Sequence, residues 1–161
     1  MATAKEIEKT FNLLCDEVNK TFIQKGVPFR TSEFDIEIVS ERNMYGSGCD
    51  GLYIDSQKKI QIRRALFTDL VRMMKQHPNL DLNKIYYFNK LSQTLVHEIG
   101  HAVHHKYFST AVYELKITSS YGKKNHKERF AVAFQEYFTE DQVNNGMKQL
   151  LQNINKERYY G

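Results

Sequence analysis

One long apolar stripe constrains this chain more than any other feature. From Ile85 through Phe88, Leu91, Leu95, Ile99 and Ala102 to Val103, apolar residues recur at three-and-four spacing, and the pattern runs on to about Phe108. That period is helical, and a helix of this length has to bury one face against the rest of the chain. Inside the stripe stands His97-Glu98-Ile99-Gly100-His101, with Val96 and Ile99 directed inward and Gly100 as the one helix breaker. Any fold must therefore wrap a buried helix that also presents two imidazoles and a carboxylate.

The flanking segments supply the cover. Residues 4–24 place Ile7, Phe11, Leu14, Cys15, Val18 and Phe22 on one helical face, ended by Gly26 and Pro28. Phe34 to Val39 alternates apolar and polar residues, the pattern of a half-buried strand. After a polar, glycine-bearing loop from Asn43 to Gly51, the runs Leu52-Tyr53-Ile54 and Ile60-Gln61-Ile62 flank a polar turn and predict a hairpin. Residues 66–76 predict a short helix closed by Pro78, and helical character resumes from Asp81. Residues 125–138 predict another helix and 140–157 a last, polar one. A helix, a small antiparallel sheet and a mainly helical C-terminal half make an α+β domain, not a repeating βαβ pattern. With 161 residues and no linker or repeat, residues 1–161 form one domain, long enough to bury a core without disulfides or a structural metal.

Histidines four apart on a helix point to the same side, so His97 and His101 can close on one Zn²⁺ ion at about 2.0–2.1 Å. Glu98 lies about 100° round the helix from His97. Its carboxylate reaches a water on the metal instead of the metal itself, which is the place of a general base. A catalytic site needs a third protein ligand and an open position. The candidates are His104, His105, His126 and Glu128. The long metzincin motif would require a glycine at 104 and a histidine at 107, where this chain has His104 and Tyr107. His104 follows His101 by one turn of the same helix and cannot complete a tetrahedron without distorting it. His104 and His105 read as solvated or C-terminal helix residues, where a cation is favoured. The third ligand then comes from the later helix.

The segment Tyr121-Gly122-Lys123-Lys124-Asn125-His126-Lys127-Glu128-Arg129-Phe130-Ala131-Val132-Ala133-Phe134 resembles the anthrax lethal factor family and the related secreted Pro-Pro endopeptidases. In those proteins a Tyr-Gly pair precedes by seven residues a zinc-binding glutamate and a Phe-Ala-x-Ala-Phe-like run. His97-Glu98-Ile99-Gly100-His101-Ala102 is similar to their HExGHA motif, and the hairpin of residues 51–62 stands where they carry a substrate-facing edge strand. The resemblance covers about residues 51–138 and is sharp at 97–103 and 121–134. It implies a compact zincin-like fold and a gluzincin endopeptidase with one zinc per chain, held by His97, His101 and Glu128. Glu98 would then be the general base and Tyr121 the phenol that stabilises the oxyanion. Three departures mark this chain. Val132 stands where the family carries an acid four residues after the ligand, leaving Glu136 or Asp141 to support a zinc-binding histidine. The spacing from His101 to Glu128 is shorter than in the relatives. Those relatives are secreted, whereas this N-terminus reaches charged residues too soon for a signal peptide, so the expected location is cytoplasmic, with a phage- or mobile-element origin as a further expectation.

Composition narrows the alternatives. Eight Gly and two Pro in 161 residues exclude collagen-like and low-complexity chains, and no run approaches the roughly 18 apolar residues of a membrane span. The net charge of +4 is mild and its lysines are scattered, so the partner is expected to be a peptide or protein and not nucleic acid or a membrane. Cys15 and Cys49 fit reduced, partly buried thiols. Tyr86-Tyr87-Phe88 and Tyr137-Phe138 fall on helical stripes and read as core, Met73-Met74 as packing, and Lys123 to Lys127 as a solvated loop over the site. The competing function is a zincin-fold structural or interaction component, for example of a phage particle, with a structural zinc. Glu98 beside both histidines speaks against it, since a structural site needs no base, and Val132 speaks for it.

Overall fold

The computed structural model describes residues 2–40, 44, 49–140 and 144–160, with residues 155–160 described by their backbone alone. Helix α1 (Ala4–Gln24) starts on a capping box. The Thr3 hydroxyl accepts from the Glu6 N–H at 3.1 Å, and the Glu6 carboxylate accepts from the Thr3 N–H at 3.0 Å. It ends where Gly26 takes a φ of +73°, a conformation glycine enters without a Cβ penalty. Strands β1 (Asp35–Val39), β2 (Gly51–Ile54) and β3 (Lys59–Arg63) follow, then helices α2 (Arg64–Gln76), α3 (Tyr86–Phe108), α4 (His126–Thr139) and α5 (Asn145–Tyr160). The architecture is α+β. Among the described residues, no helix is long and apolar enough to cross a membrane.

The three strands form one sheet in the order β1-β3-β2. The expected hairpin is present, with β2 antiparallel to β3 and Tyr53 opposite Ile60. The sheet as a whole is mixed, not wholly antiparallel, because β1 runs parallel to β3 and pairs Ile36 with Ile60 and Ile38 with Ile62. From Val39 to Gly51 the separation is too long for a hairpin turn of about 2–5 residues, and β3 fills the slot between the two strands. This leaves β2 on an edge, facing α3.

The apolar stripe of α3 is the centre of the packing, with Leu91, Leu95, Ile99 and Val103 all fully buried. Phe22, Phe29, Phe134 and Phe138 interlock around it. Ring centroids lie 5.0 Å apart for Phe22 with Phe29 and with Phe138, and 4.7 Å apart for Phe134 with Phe138. Each such ring contributes about 1.5–3 kcal/mol of hydrophobic burial. Tyr86 departs from the core reading and is 67% exposed, while Phe88 is buried. Position 86 opens the helix and is out of phase with the stripe at 85, 88 and 91. Gly100 lets α4 approach closely, since a Cβ there would lie 3.1 Å from Phe134 Cβ and 3.2 Å from Ala131 Cα.

Candidate metal centre

Two helices build the site. On α3, His97 and His101 turn their rings to one side, with centroids 5.1 Å apart. On α4, the Asn125 side chain accepts from the Glu128 N–H at 2.8 Å and fixes the start of the helix. Glu128 therefore sits in the first turn, where the helix dipole favours a carboxylate. Its oxygens meet His101 Nε2 at 2.7 Å and His97 Nε2 at 3.3 Å. One donor atom from each of the three residues lies within 4.8 Å of the others. Their side chains are only 12%, 15% and 14% exposed for His97, His101 and Glu128 respectively.

Burial alone would raise the Glu128 carboxyl, but hydrogen bonds from His101 and His97 outweigh it and hold the group well below the usual carboxylate range. Burial pulls His97 down, and the Glu128 bond with the charges of Glu98 and Glu128 more than reverses that, so its pKa is raised. Two imidazole nitrogens and one carboxylate oxygen, largely shielded from water and converging from two rigid helices, can hold a divalent metal ion.

Glu98 is buried at 7% exposure and is not one of the converging donors. The backbone N–H of Tyr53 on β2 donates to its carboxylate. Burial raises its pKa, and the neighbouring histidines act in the opposite direction. Gly51 makes that approach possible, because a Cβ at 51 would lie 2.7 Å from Thr94 Cγ2 and 3.0 Å from Glu98 Cγ. In front of the trio a cleft of about 520 Å³ runs along β2 and is lined by Tyr53, Tyr121, Asn125 and Lys127. Tyr121, on the 3-10 turn Ser120–Lys123, is at the site. Its ring centroid is 6.0 Å from that of His97. Burial, then the Glu128 charge and a hydrogen bond to that carboxylate, push its phenol up.

The remaining candidates separate cleanly. His104 is neither solvated nor cationic. It is 2% exposed, stacks on Phe130 at 4.1 Å, and its Nε2 lies 2.7 Å from the Ala111 carbonyl. Burial lowers its pKa, so the position near the helix C-terminus does not charge it. His105 pairs through Nδ1 with the Tyr53 hydroxyl at 2.8 Å, and His126 is exposed and outside the donor group. Lys123, Lys124, Asn125 and Lys127 are exposed, as the solvated-loop reading expects. Glu136 does not support a histidine. It is buried and accepts from the Thr118 N–H at 2.9 Å and from its hydroxyl at 2.7 Å. Asp141, like most of the Asn43–Gly51 loop, lies outside the described residues.

The partner of His97 is instead Gln135, whose Oε1 lies 3.0 Å from His97 Nδ1. Sequence reasoning missed it by looking for a carboxylate, at 132, 136 and 141, and not for an amide. A polar residue seven positions along the same helix, on nearly the same face, was the available signal. Cys49 lines the cleft, with its thiol pushed up by burial and then by Glu98. Comparison with protein-family models, curated proteins and solved structures found no match.

Proposed function

We propose that this protein is a zinc-dependent endopeptidase of the gluzincin type. The observation that carries this reading is the convergence of His97, His101 and Glu128 at the floor of an open cleft, with a buried carboxylate, Glu98, beside them but outside the donor set. A structural ion has no use for such a carboxylate or for an open cleft. Zinc suits two imidazoles and one carboxylate, and in that setting it supplies Lewis acidity, activating water near neutral pH and polarising a carbonyl.

The protein's own groups have separable tasks. Glu98, raised in pKa by burial and held by the Tyr53 N–H, takes the proton of the attacking water and returns it to the leaving amine. Tyr121 donates its phenolic proton toward the substrate carbonyl oxygen, where charge develops. A peptide lies along the free edge of β2 and bonds to its backbone, which gives affinity with limited side-chain preference.

The test combines metal content with turnover. Wild type is expected to carry one zinc, to lose it in Glu128→Ala and to keep it in His126→Ala. Glu98→Gln should keep its zinc while cleavage of a broad peptide library falls by at least about 10²–10⁴-fold. Equal cleavage by wild type and Glu98→Gln would refute the mechanism, and zinc retained in Glu128→Ala would refute the ligand set.

A further inference from the structure

Glu128 and Gln135 are seven residues apart on α4, so two turns bring them to within about 20° on one face. That face meets His97 at both ring nitrogens. Nε2 lies 3.3 Å from Glu128 Oε2, and Nδ1 lies 3.0 Å from Gln135 Oε1. A carbonyl oxygen only accepts, so the bond at Nδ1 requires the proton on that nitrogen; a metal ion then displaces the Nε2 proton shared with Glu128 and takes the Nε2 lone pair. The two assignments go together. A flipped amide alone would set its NH₂ against the ring N–H, donor facing donor, and the other tautomer alone would place a lone pair against the amide oxygen. Reversing both would protonate Nε2, the nitrogen that faces the donor group, and remove the lone pair a metal needs.

No other described residue does this for His97. Position 132 is turned about 40° from Glu128, and Val132 is buried against Gly122, where an added Cβ would lie 3.0 Å from Val132 Cβ. Both Glu136 oxygens are occupied by Thr118.

We infer that Gln135 is the positioning residue of the metal centre: its amide oxygen holds His97 in the Nδ1–H form and aims Nε2 at the metal. The inference rests on the proposed metal-binding function and extends it to a residue outside the ligand set. A neutral amide, unlike a carboxylate, orients the imidazole without adding charge, so Glu128 is the one anionic ligand. Side chains that orient metal-binding histidines typically change metal affinity by about 10–100-fold when removed.

Zinc affinity is measured by chelator competition, without reference to activity, for wild type, Gln135→Met, Gln135→Ala, Gln135→Glu and His97→Ala, each checked for an unchanged far-ultraviolet circular dichroism spectrum. Nitrogen-15 NMR of the zinc-loaded proteins reads the His97 Nδ1 proton. The methionine and alanine variants should bind zinc about 10–100-fold more weakly and lose the protected Nδ1–H signal. The glutamate variant, which keeps an acceptor, should retain both. If the methionine and alanine variants bind as tightly as wild type while His97→Ala does not, the metal centre stands and the role of Gln135 is wrong. If Gln135→Glu loses as much as Gln135→Met, Gln135 acts through packing, and the inference is again wrong. If wild type binds no zinc, or His97→Ala binds as wild type does, the metal reading itself fails.

Discussion

Replacing Gly100 with alanine tests whether the approach of α3 to α4 sets the metal centre. In an exposed helix this change is favourable by about 0.8–1.0 kcal/mol, since alanine is the better helix former. Here the new Cβ would stand 3.1 Å from Phe134 Cβ and Cδ1 and 3.2 Å from Ala131 Cα. Two of those three atoms are backbone or bonded directly to it, and Phe134 is fully buried, so no flexible side-chain tip can swing aside. The helices must part by a few tenths of an ångström. Overpacking of this kind costs about 1–3 kcal/mol. Set against the propensity gain, the net loss is about 0–2 kcal/mol. The same displacement moves His97 and His101 away from Glu128, so zinc affinity should fall along with stability. Urea unfolding at constant m-value and chelator competition measure the two effects. A Gly100→Ala protein that gains about 1 kcal/mol and binds zinc as wild type does would refute the argument, because it would show an interface with room to spare.

Two further outcomes follow from the packing around the site. Gly51→Ala places a Cβ 2.7 Å from Thr94 Cγ2 and 3.0 Å from Glu98 Cγ, so it should disturb the proposed base without touching a ligand; cleavage should drop while zinc content, measured by metal analysis, stays at the wild-type level. His104 is neutral in the fold because burial lowers its pKa, with the nearby charges of His126, His101 and Lys127 acting the same way and the Ala111 carbonyl opposing them. Its contribution to stability is therefore complete above the unfolded value of about 6.5 and is lost as pH falls toward the folded value, because the unfolded chain takes up the proton first. Urea midpoints measured across that range should fall less steeply in His104→Gln than in wild type, and parallel curves would contradict the assignment.

Much of this was legible in the sequence because period reports burial. The stripe from Ile85 to Val103 and the alternation at Ile36 and Ile38 gave α3 and β1, and His97, Glu98 and His101 share a helix whose geometry places them without tertiary information. The parallel pairing of β1 with β3 was not legible, since alternation fixes which face of a strand is buried but not its neighbour. His104 was misread for a related reason. Its position near a helix C-terminus favours a cation, but Phe130 and the Ala111 carbonyl, brought in by α4 and the following loop, decide its state. Gln135 was missed because a second helix sets its register against His97, and that register depends on the close approach at Gly100.

The order of assembly separates an enzyme from a protein that merely uses zinc to fold. The core is complete without a metal. Phe22, Phe29, Phe67, Phe130 and Phe134 are fully buried and do not belong to the donor group, and β3 is paired on both sides. The donors are also positioned by the protein's own groups, since the Asn125 cap fixes Glu128 and Gln135 bonds His97. Zinc entering such a preformed site should stabilise the chain only by mass action, about 2.7 kcal/mol at a hundredfold excess over its dissociation constant. Chelation should therefore lower the unfolding midpoint while leaving the circular dichroism spectrum at 25 °C unchanged, and readdition of zinc should restore the midpoint. A structural zinc behaves differently, because its binding free energy is folding free energy and its removal unfolds the domain. Loss of helical signal on chelation would show that the phenylalanine core cannot hold the fold alone, and it would favour the structural reading over the catalytic one.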